Sequence, residues 1–549
     1  MAGYGAGGEN QIYIGREAGK STSAYNNQTG DNNIGIGAYA LNKVTSGAEN
    51  VAIGSGAGTV LTSGTRNTIL GFEAAYKLTS SGSNVIIGAR AGYNSTATDN
   101  TFVGTFAGNK NTSGGQNTSV GKSAGYNLTT GSGNTFMGYQ AGYSNTTGIY
   151  NVFIGESCGY NHTTPSYNTF IGYRVAMNNN SYNGANVFIG KNTAYYNNGC
   201  FNVALGKEAL MGYSSQGTTR NGDANVAIGY QAAWRHDGHG NVIIGPYSGN
   251  QSTTITPSSI HDNVCVGIYT GTKLKNSKGN VFIGPYAGNN FTRTTSMDGY
   301  NTFVGYHAGK ATTTGTSNVA MGAHALENHT TGGENVAIGK SAGMRITSAA
   351  DNICIGAYSG ESITTGNGNV CLGWDAGGDI TTGYDNIAIG RYCCREGAVT
   401  GGYNIMMGYF AGHPLTTGNS NVGIGNCALR NVNTGNYNTC VGISCGREIT
   451  TGSNNTFYGN AAGYKNTTGY QNIAIGYNAN YYETTGDNNI AIGHHAGCAS
   501  GSTNNDYKLY INTHAGYYGA NSFIYGHGKM TDNPYLRVNA DLGIGCSPD

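Results

Sequence analysis

The chain has 549 residues, 93 of them glycine and 41 tyrosine, and only 10% are charged. Ordinary soluble proteins carry about a quarter charged residues. The 28 lysines and arginines nearly balance the 27 aspartates and glutamates, which leaves a net charge of +1. Without a basic field, the chain is a poor candidate for binding nucleic acid or an anionic membrane surface. No stretch approaches the roughly 18 apolar residues of a membrane helix, so we expect no membrane insertion.

After a short lead-in over residues 1–10, residues 11–504 form a tandem array. The pentapeptide Asn-Val-Ala-Ile-Gly, or a close variant, begins at Asn33 and returns for the last time at Asn489, with a variant opening at Gln11. There are 28 such units, and of the 27 spacings between them 18 are 17 residues and four are 21 to 23. Self-similarity at this period predicts a repeat architecture.

The 17-residue unit favours strands over helices. It is too short for two helices, and glycine and asparagine at fixed interior positions oppose one helix per unit. A short strand after the asparagine, a second short stretch through an Ala-Gly pair and a polar Thr-Thr-Gly loop fit the length. Gly follows the third apolar residue in all 28 units, where the strand must bend sharply or another backbone must come close. We therefore predict an all-β fold, a parallel β-solenoid of about 28 coils.

Both faces of the predicted strand are apolar. The residues one and three places after the asparagine point to one side, and the residue between them, such as Phe153 or Phe170, points to the other. A thin coil has one interior, so one row must form an apolar stripe on the outside, which a soluble monomer does not tolerate. This predicts a parallel homo-oligomer whose axis is lined by one strand face.

The repeat at Asn335-Val336-Ala337-Ile338-Gly339, with Ala342, resembles the head repeats of trimeric autotransporter adhesins (YadA-like or haemagglutinin-type repeats) and related repeats of phage tail fibres. The resemblance covers residues 11 to about 500. It implies a left-handed β-roll with a second, Ala-containing strand, assembled as a parallel homotrimeric rod that serves as a stalk or adhesive head. An extracellular location, as a virion appendage or surface filament, is the matching expectation.

The period breaks in residues 505–549, which we interpret as a non-repetitive registering or tip module. This segment is similar to the module that precedes an intramolecular chaperone in fibre proteins. The resemblance implies that the chain is matured or truncated at its C-terminus and that its gene continues past Asp549.

Three of the four long units lie between Asn202 and Asn301. Extra residues in a solenoid leave the coil as surface loops, so residues 202–301 are the predicted contact region for a cell-surface glycan or receptor. The candidate contact residues are Tyr213, Arg220, Trp234, Arg235, His239, Tyr247 and Arg293. The segment from Trp234 to His239 also contains two histidines and an aspartate, but an exposed loop is favoured there over a metal site.

Asn-x-Ser/Thr acceptors for glycosylation recur on the predicted loop side. The candidates are Asn94, Asn111, Asn127, Asn145, Asn161, Asn328 and Asn466. The alternative, which the sequence favours, is that Asn-Thr-Thr-Gly is simply turn chemistry.

No catalytic, cofactor or metal pattern emerges from the repeats. Cys265, Cys354, Cys371 and Cys440 occupy the middle strand position, which is typical of small buried hydrophobes rather than of disulfides or metal ligands. Gly121-Lys122-Ser123 imitates a phosphate-binding loop but falls on ordinary repeat positions. We expect no enzyme activity, no cofactor and no metal.

The predicted function is a structural and adhesive shaft of an extracellular fibre, such as a viral tail fibre. A bacterial trimeric adhesin head is one alternative. An ice-binding or polysaccharide-active β-solenoid is another, because solenoids can present flat arrays of threonine or long binding surfaces.

Overall fold

A computed structural model describes residues 7–20, 28–178, 184–212, 222–236, 238–250, 260–292, 298–498, 506–512, 524–527 and 535–538. All regular secondary structure in these residues is β-strand. Accordingly, the described part of the chain contains no helix of the length and apolarity needed to cross a membrane. The chain forms two compact units, Met1–Lys278 and Gly279–Asp549.

The first unit contains strands β1 to β17. Their bounds are β1 Ile12–Ile14, β2 Ile34–Ile36, β3 Val51–Ile53, β4 Thr68–Leu70, β5 Val85–Ile87, β6 Thr101–Val103, β7 Thr118–Val120, β8 Thr135–Met137, β9 Val152–Ile154, β10 Thr169–Ile171, β11 Val187–Ile189, β12 Val203–Leu205, β13 Val226–Ile228, β14 Val242–Ile244, β15 Ile260–His261, β16 Val264–Val266 and β17 Ser277–Lys278.

The second unit contains strands β18 to β33. Their bounds are β18 Val281–Ile283, β19 Thr302–Val304, β20 Val319–Met321, β21 Val336–Ile338, β22 Ile353–Ile355, β23 Val370–Leu372, β24 Ile387–Ile389, β25 Ile405–Met407, β26 Val422–Ile424, β27 Thr439–Val441, β28 Thr456–Tyr458, β29 Ile473–Ile475, β30 Ile490–Ile492, β31 Lys508–Ile511, β32 Ile524–His527 and β33 Tyr535–Val538.

Within each unit, the strands of successive repeats pair in parallel and in register. In the first unit β1 to β14 and then β16 form one ladder, as where Phe153 pairs with Phe170, while β15 and β17 pair separately. In the second unit the ladder runs from β18 to β31, as where Val319 pairs with Val336. One strand per coil of about 17 residues confirms the predicted β-solenoid.

The middle residue of each strand points into the coil. We number each repeat from its leading asparagine as position 0, so the strand occupies positions 1 to 3. Phe153 and Phe170, at position 2, are fully buried, and their rings stack with centroids 4.8 Å apart. Ala at position 7, such as Ala141, is buried beside them. Each coil therefore contributes a thin slice to a continuous core within its unit.

The leading asparagines form a buried hydrogen-bonded ladder. The Asn151 side-chain oxygen accepts hydrogen bonds from the backbone N–H of Asn168 and from its Nδ2, both at 3.1 Å. Asn151 Nδ2 itself donates to Asn134 Oδ1 at 3.0 Å and to the Pro165 carbonyl at 2.8 Å. Each amide thus satisfies its own polar atoms while joining neighbouring coils.

The glycine at position 4 is required for two reasons. Gly104 has φ +134°, a backbone conformation that is essentially restricted to glycine. A Cβ on Gly104 would also lie 2.5 Å from the carbonyl oxygen of Gly121 in the next coil. The predicted bend and the predicted close approach are therefore both present.

The stretch through position 7 is a turn and not a second strand. Ser341 and Gly343, on either side of Ala342, both have φ +55°. Left-handed backbone at alternate positions cannot continue as a β-strand. In this respect the coil differs from the second, Ala-containing strand that the resemblance implied.

Parallel pairing continues into the predicted tip module. Leu509 in β31 pairs with Ile490 in β30, and β31 then pairs antiparallel with β32, and β32 with β33. The ladder therefore passes beyond residue 504, the predicted end of the repeat array, and ends in an antiparallel meander.

Candidate functional site

An apolar sheet face lies on the outside of the coils. Residues at positions 1 and 3 point away from the core, and Ile338 and Ile355 in neighbouring repeats keep 36% and 39% of their surface exposed. None of the 28 repeats has a charged residue at either position. We call the residues at positions 1 and 3 the sheet face. In a solvated sheet this face would be polar, so its composition is the signature of a surface that packs against something.

The phenylalanine row is not this surface. Phe153 and Phe170 were candidates for the row that a partner chain covers, but both are fully buried inside their own coil. The neighbouring Ile154, at position 3, belongs to the sheet face instead. The sequence could not choose between the rows because both are apolar.

Aromatic and basic side chains gather at the corner that follows the strand, at positions 5, 6 and 9. Tyr126, Tyr143 and Tyr160 occupy position 9 of three successive repeats, and their rings stack at 5.2 Å and 4.9 Å. Lys110 Nζ lies 5.3 Å from the centre of the Tyr126 ring. Because the coils stack in register, tyrosines that recur every 17 residues form a continuous stacked row on the surface.

The richest part of this corner is in the second unit, and we call it the arginine–aromatic surface. Trp374 packs edge-on against Tyr392 at 4.7 Å, and Tyr392 stacks on Phe410 at 5.1 Å. Arg391 lies 4.9 Å from the Trp374 ring and Arg430 lies 5.3 Å from the Phe410 ring. The remaining member is Tyr409, 4.4 Å from Phe410.

The arginines in this surface and the adjacent Arg395 differ in their pairing. Arg395 contacts the Asp375 carboxylate and lies 5.3 Å from the Tyr392 ring. Within the described residues, Arg391 and Arg430 have no carboxylate partner. Two guanidinium groups held against aromatic rings and not neutralised form a surface suited to carboxylate, sulfate or phosphate groups.

The structure brings together only part of the predicted contact region. Arg235 lies 3.9 Å from the Trp234 ring, so these two residues do form a pair. Tyr247 stacks on Tyr269 at 4.9 Å, and His239 stacks on His261 at 5.3 Å, in other rows of the repeat. Tyr213, Arg220 and Arg293 lie outside the described residues.

The two histidines near Trp234, His236 and His239, differ in burial. His236 is inside the coil, and burial lowers its pKa to about 3. His239 is on the surface, where Nδ1 lies 3.8 Å from an Asp223 carboxylate oxygen. Asp237 lies outside the described residues.

Three predicted glycosylation sites must be corrected. Asn111, Asn145 and Asn466, at position 11, are fully buried in the coil, so a glycan cannot be accommodated on them in the folded chain. Asn94, Asn127, Asn161 and Asn328 have exposed surface and stay predictions.

The cysteines lie where the repeat predicted them. Cys265, Cys354, Cys371 and Cys440 are buried at position 2, and the cysteines of the described residues are free thiols. Burial raises the pKa of the Cys265 thiol to about 12. Such thiols are packing residues and not nucleophiles.

Two clusters are not visible in the linear order of the sequence. The arginine–aromatic surface comes from four successive repeats, and His307, His324 and Glu327 form a second cluster from two repeats. Both become visible when the repeats are aligned and positions 5, 6 and 9 are compared.

Comparisons with known proteins add no relative. No protein-family model matches the chain, and no curated protein or solved structure matches it.

Proposed function

We propose that this chain is the shaft of an extracellular fibre in which three parallel copies turn their sheet faces toward a common axis. The sheet face is the observation that carries the proposal, because its apolar rows recur coil after coil in each unit. Packing one sheet face on another at about 10 Å is an ordinary way to bury such rows. The number of copies follows the resemblance to trimeric fibre repeats.

The stacked coil supports a mechanical role. The first threonine of several Thr-Thr pairs donates a hydroxyl hydrogen bond to the next coil, as where Thr146 Oγ1 donates to the Thr163 carbonyl at 3.0 Å. The asparagine ladder and the strand ladder join the same two coils. Three parallel sets of hydrogen bonds per coil resist pulling along the stack, which is what a shaft must do.

The test is the oligomeric state of the unmodified chain by analytical ultracentrifugation. We expect a trimer that Ile338→Lys together with Ile355→Lys dissociates, because two charges per chain would enter the contact. Tyr437→Lys is the matched control, since Tyr437 is exposed just before its repeat and off the sheet face. A folded, soluble monomer of the unmodified chain would refute the proposal, and a doubly substituted chain that stays trimeric would place the contact elsewhere.

The adhesive part of the function rests on the arginine–aromatic surface, which we propose binds an acidic glycan. Aromatic rings offer flat apolar area and the two unneutralised arginines offer bidentate contacts to anionic groups. Arg391→Gln and Trp374→Ala should each abolish binding on an array of sialylated, sulfated and neutral glycans. Arg345→Gln, an exposed arginine outside this surface, should not. Equal binding of neutral and acidic glycans would overturn the acidic class.

A further inference from the structure

His307, His324 and Glu327 meet on the surface of the second unit because two repeats stack in register. His307 and His324 occupy position 6 of the repeats that begin at Asn301 and Asn318, and Glu327 occupies position 9 of the second. The strands of these repeats pair residue by residue, Thr302 with Val319, which sets position 6 of one coil above position 6 of the other. The two imidazole rings lie 5.3 Å apart and nearly perpendicular.

One carboxylate faces both rings. His307 Nδ1 lies 2.8 Å from Glu327 Oε1, and His324 Nδ1 lies 2.6 Å from Glu327 Oε2. One nitrogen from each ring and one carboxylate oxygen all lie within 4.8 Å of one another. The three residues therefore bring their potential ligand atoms together at one place on the surface.

We propose that these three residues bind a divalent transition-metal ion of the zinc class, with a fourth position open to water. Two imidazole nitrogens and one carboxylate are a ligand set that such ions select over Mg²⁺ or Ca²⁺. Metal–ligand bonds of about 2.0–2.2 Å place neighbouring ligand atoms of a tetrahedral site roughly 3.3 Å apart. The contacts of His307 and His324 to Glu327, at 2.8 Å and 2.6 Å, would need to open by about 0.5 Å and 0.7 Å, which side-chain rotations can supply.

Metal binding changes the hydrogen bonding of the cluster. Without an ion, Nδ1 of His307 and Nδ1 of His324 each lie at hydrogen-bond distance from a Glu327 oxygen and donate to it. Binding requires each imidazole to carry its proton on Nε2, so that Nδ1 presents a lone pair.

Neighbouring tyrosines hold the His307 ring in place, and the three ligands remain accessible from solvent. The Tyr306 ring stacks on His307 at 3.9 Å, and the Tyr286 ring meets the same imidazole edge-on at 5.2 Å. The side chains of the three ligands are 14% to 33% exposed, so an ion from solvent can reach them. Ligands held by packing in this way lose little entropy on binding.

Lys310 competes with a metal ion for the Glu327 carboxylate. Its Nζ lies 3.7 Å from Glu327 Oε1, where it neutralises the carboxylate that the metal needs. The lysine side chain is 37% exposed and can swing into solvent when an ion binds. Removing the Lys310 charge should therefore tighten metal binding. If the cluster were purely structural, the same change would remove an ion pair and would have no effect on metal binding.

Zinc titration of the full chain by calorimetry at pH 7.5, together with the visible spectrum of added Co²⁺, tests the proposal. We expect one site per chain, at least tenfold weaker binding for Glu327→Gln and for His324→Gln, and tighter binding for Lys310→Met. His494→Gln with His495→Gln is the matched control, because these adjacent histidines also follow a strand of the second unit but pack on Tyr477. This control should keep the single site.

A second measurement does not depend on the variants folding. Zinc should raise the melting temperature of the unmodified chain, and EDTA should reverse the shift, because an ion that binds only the folded state stabilises it. The proposal is overturned if the unmodified chain shows no saturable site, if Glu327→Gln binds zinc as tightly, or if the His494 and His495 control removes the site.

Discussion

Gly108 leaves room for the ring of Phe102 in the same coil. A Cβ on Gly108 would lie 2.7 Å from three atoms of that ring, and the backbone there has φ +56°. In other repeats the small residue is at position 2 and the large residue is at position 8. An example is Ala320 with Leu326, both of which are buried. In these two coils the core is thus filled by a pair whose volumes compensate each other.

The first prediction follows from this pairing. Gly108→Ala should destabilise the first unit by about 2–4 kcal/mol, because it combines overpacking with a left-handed alanine. Phe102→Ala should cost about 3–5 kcal/mol through the cavity it leaves. The double variant Phe102→Ala with Gly108→Leu reproduces the Ala320–Leu326 pair and should recover part of that loss. Urea unfolding midpoints measure the coupling, and strict additivity of the two changes would contradict it.

The second prediction concerns the asparagine ladder. Asn151→Ala removes the side-chain partner of the Pro165 carbonyl and of the Asn168 backbone N–H. The Asn134 oxygen keeps the backbone N–H of residue 151, and Asn168 Nδ2 keeps the Ser166 carbonyl. Each abandoned buried group costs about 1–3 kcal/mol, so we expect a total loss of about 2–6 kcal/mol. Asn161→Ala, in the same coil but at an exposed hydrogen bond to Asn178, should change the melting temperature little. Similar losses of stability for the two variants would mean that the asparagine ladder stabilises the coil no more than an exposed hydrogen bond does.

The third prediction is a pH dependence from His162. This side chain is fully buried between the Phe153 and Phe170 rings, and burial lowers its pKa from 6.5 to about 3. The unfolded chain takes up a proton below pH 6.5 and the folded chain does not. The free energy of unfolding therefore falls as pH decreases from 6.5 toward 3, by about 1.4 kcal/mol per pH unit.

His162→Leu should remove this dependence. Between pH 7.5 and 5.0 the free energy of unfolding of the unmodified chain should fall by about 2 kcal/mol more than that of the variant. Leucine already fills the same position 11 at Leu128. Asn145→Leu is the control, because Asn145 occupies position 11 of the preceding coil and does not titrate. Denaturation at both pH values decides the matter; equal changes for the two variants would show that His162 does not supply the slope.

The fourth prediction separates the glycosylation candidates. In a host that modifies Asn-x-Ser/Thr sites, the folded secreted chain should carry glycans at only four of the seven candidate sites, namely Asn94, Asn127, Asn161 and Asn328. The side chains of Asn111, Asn145 and Asn466 have no exposed surface. Glycopeptide mass spectrometry of the folded fraction measures occupancy at each site, and a glycan on Asn145 in folded material would contradict the buried position.

The sequence by itself determined the period, the strand in each coil and the glycine at each bend. These features repeat the same requirement in every coil: Gly104 needs a backbone conformation without a Cβ, and the same glycine therefore returns in every repeat. A requirement that recurs at a fixed spacing is visible without knowing how the coils stack.

Only the tertiary structure decided which strand face is inside and which side chains meet. Phe153 and Ile154 are both apolar, so hydrophobicity could not assign the interior, and the turns at positions 6 and 8 curve the chain around Phe153. The cluster of His307, His324 and Glu327 exists because in-register pairing places residues one repeat apart within a few ångströms. A contact between different residue types of neighbouring coils is visible only when the register of the stack is known, whereas a requirement that recurs in every coil is visible in the sequence.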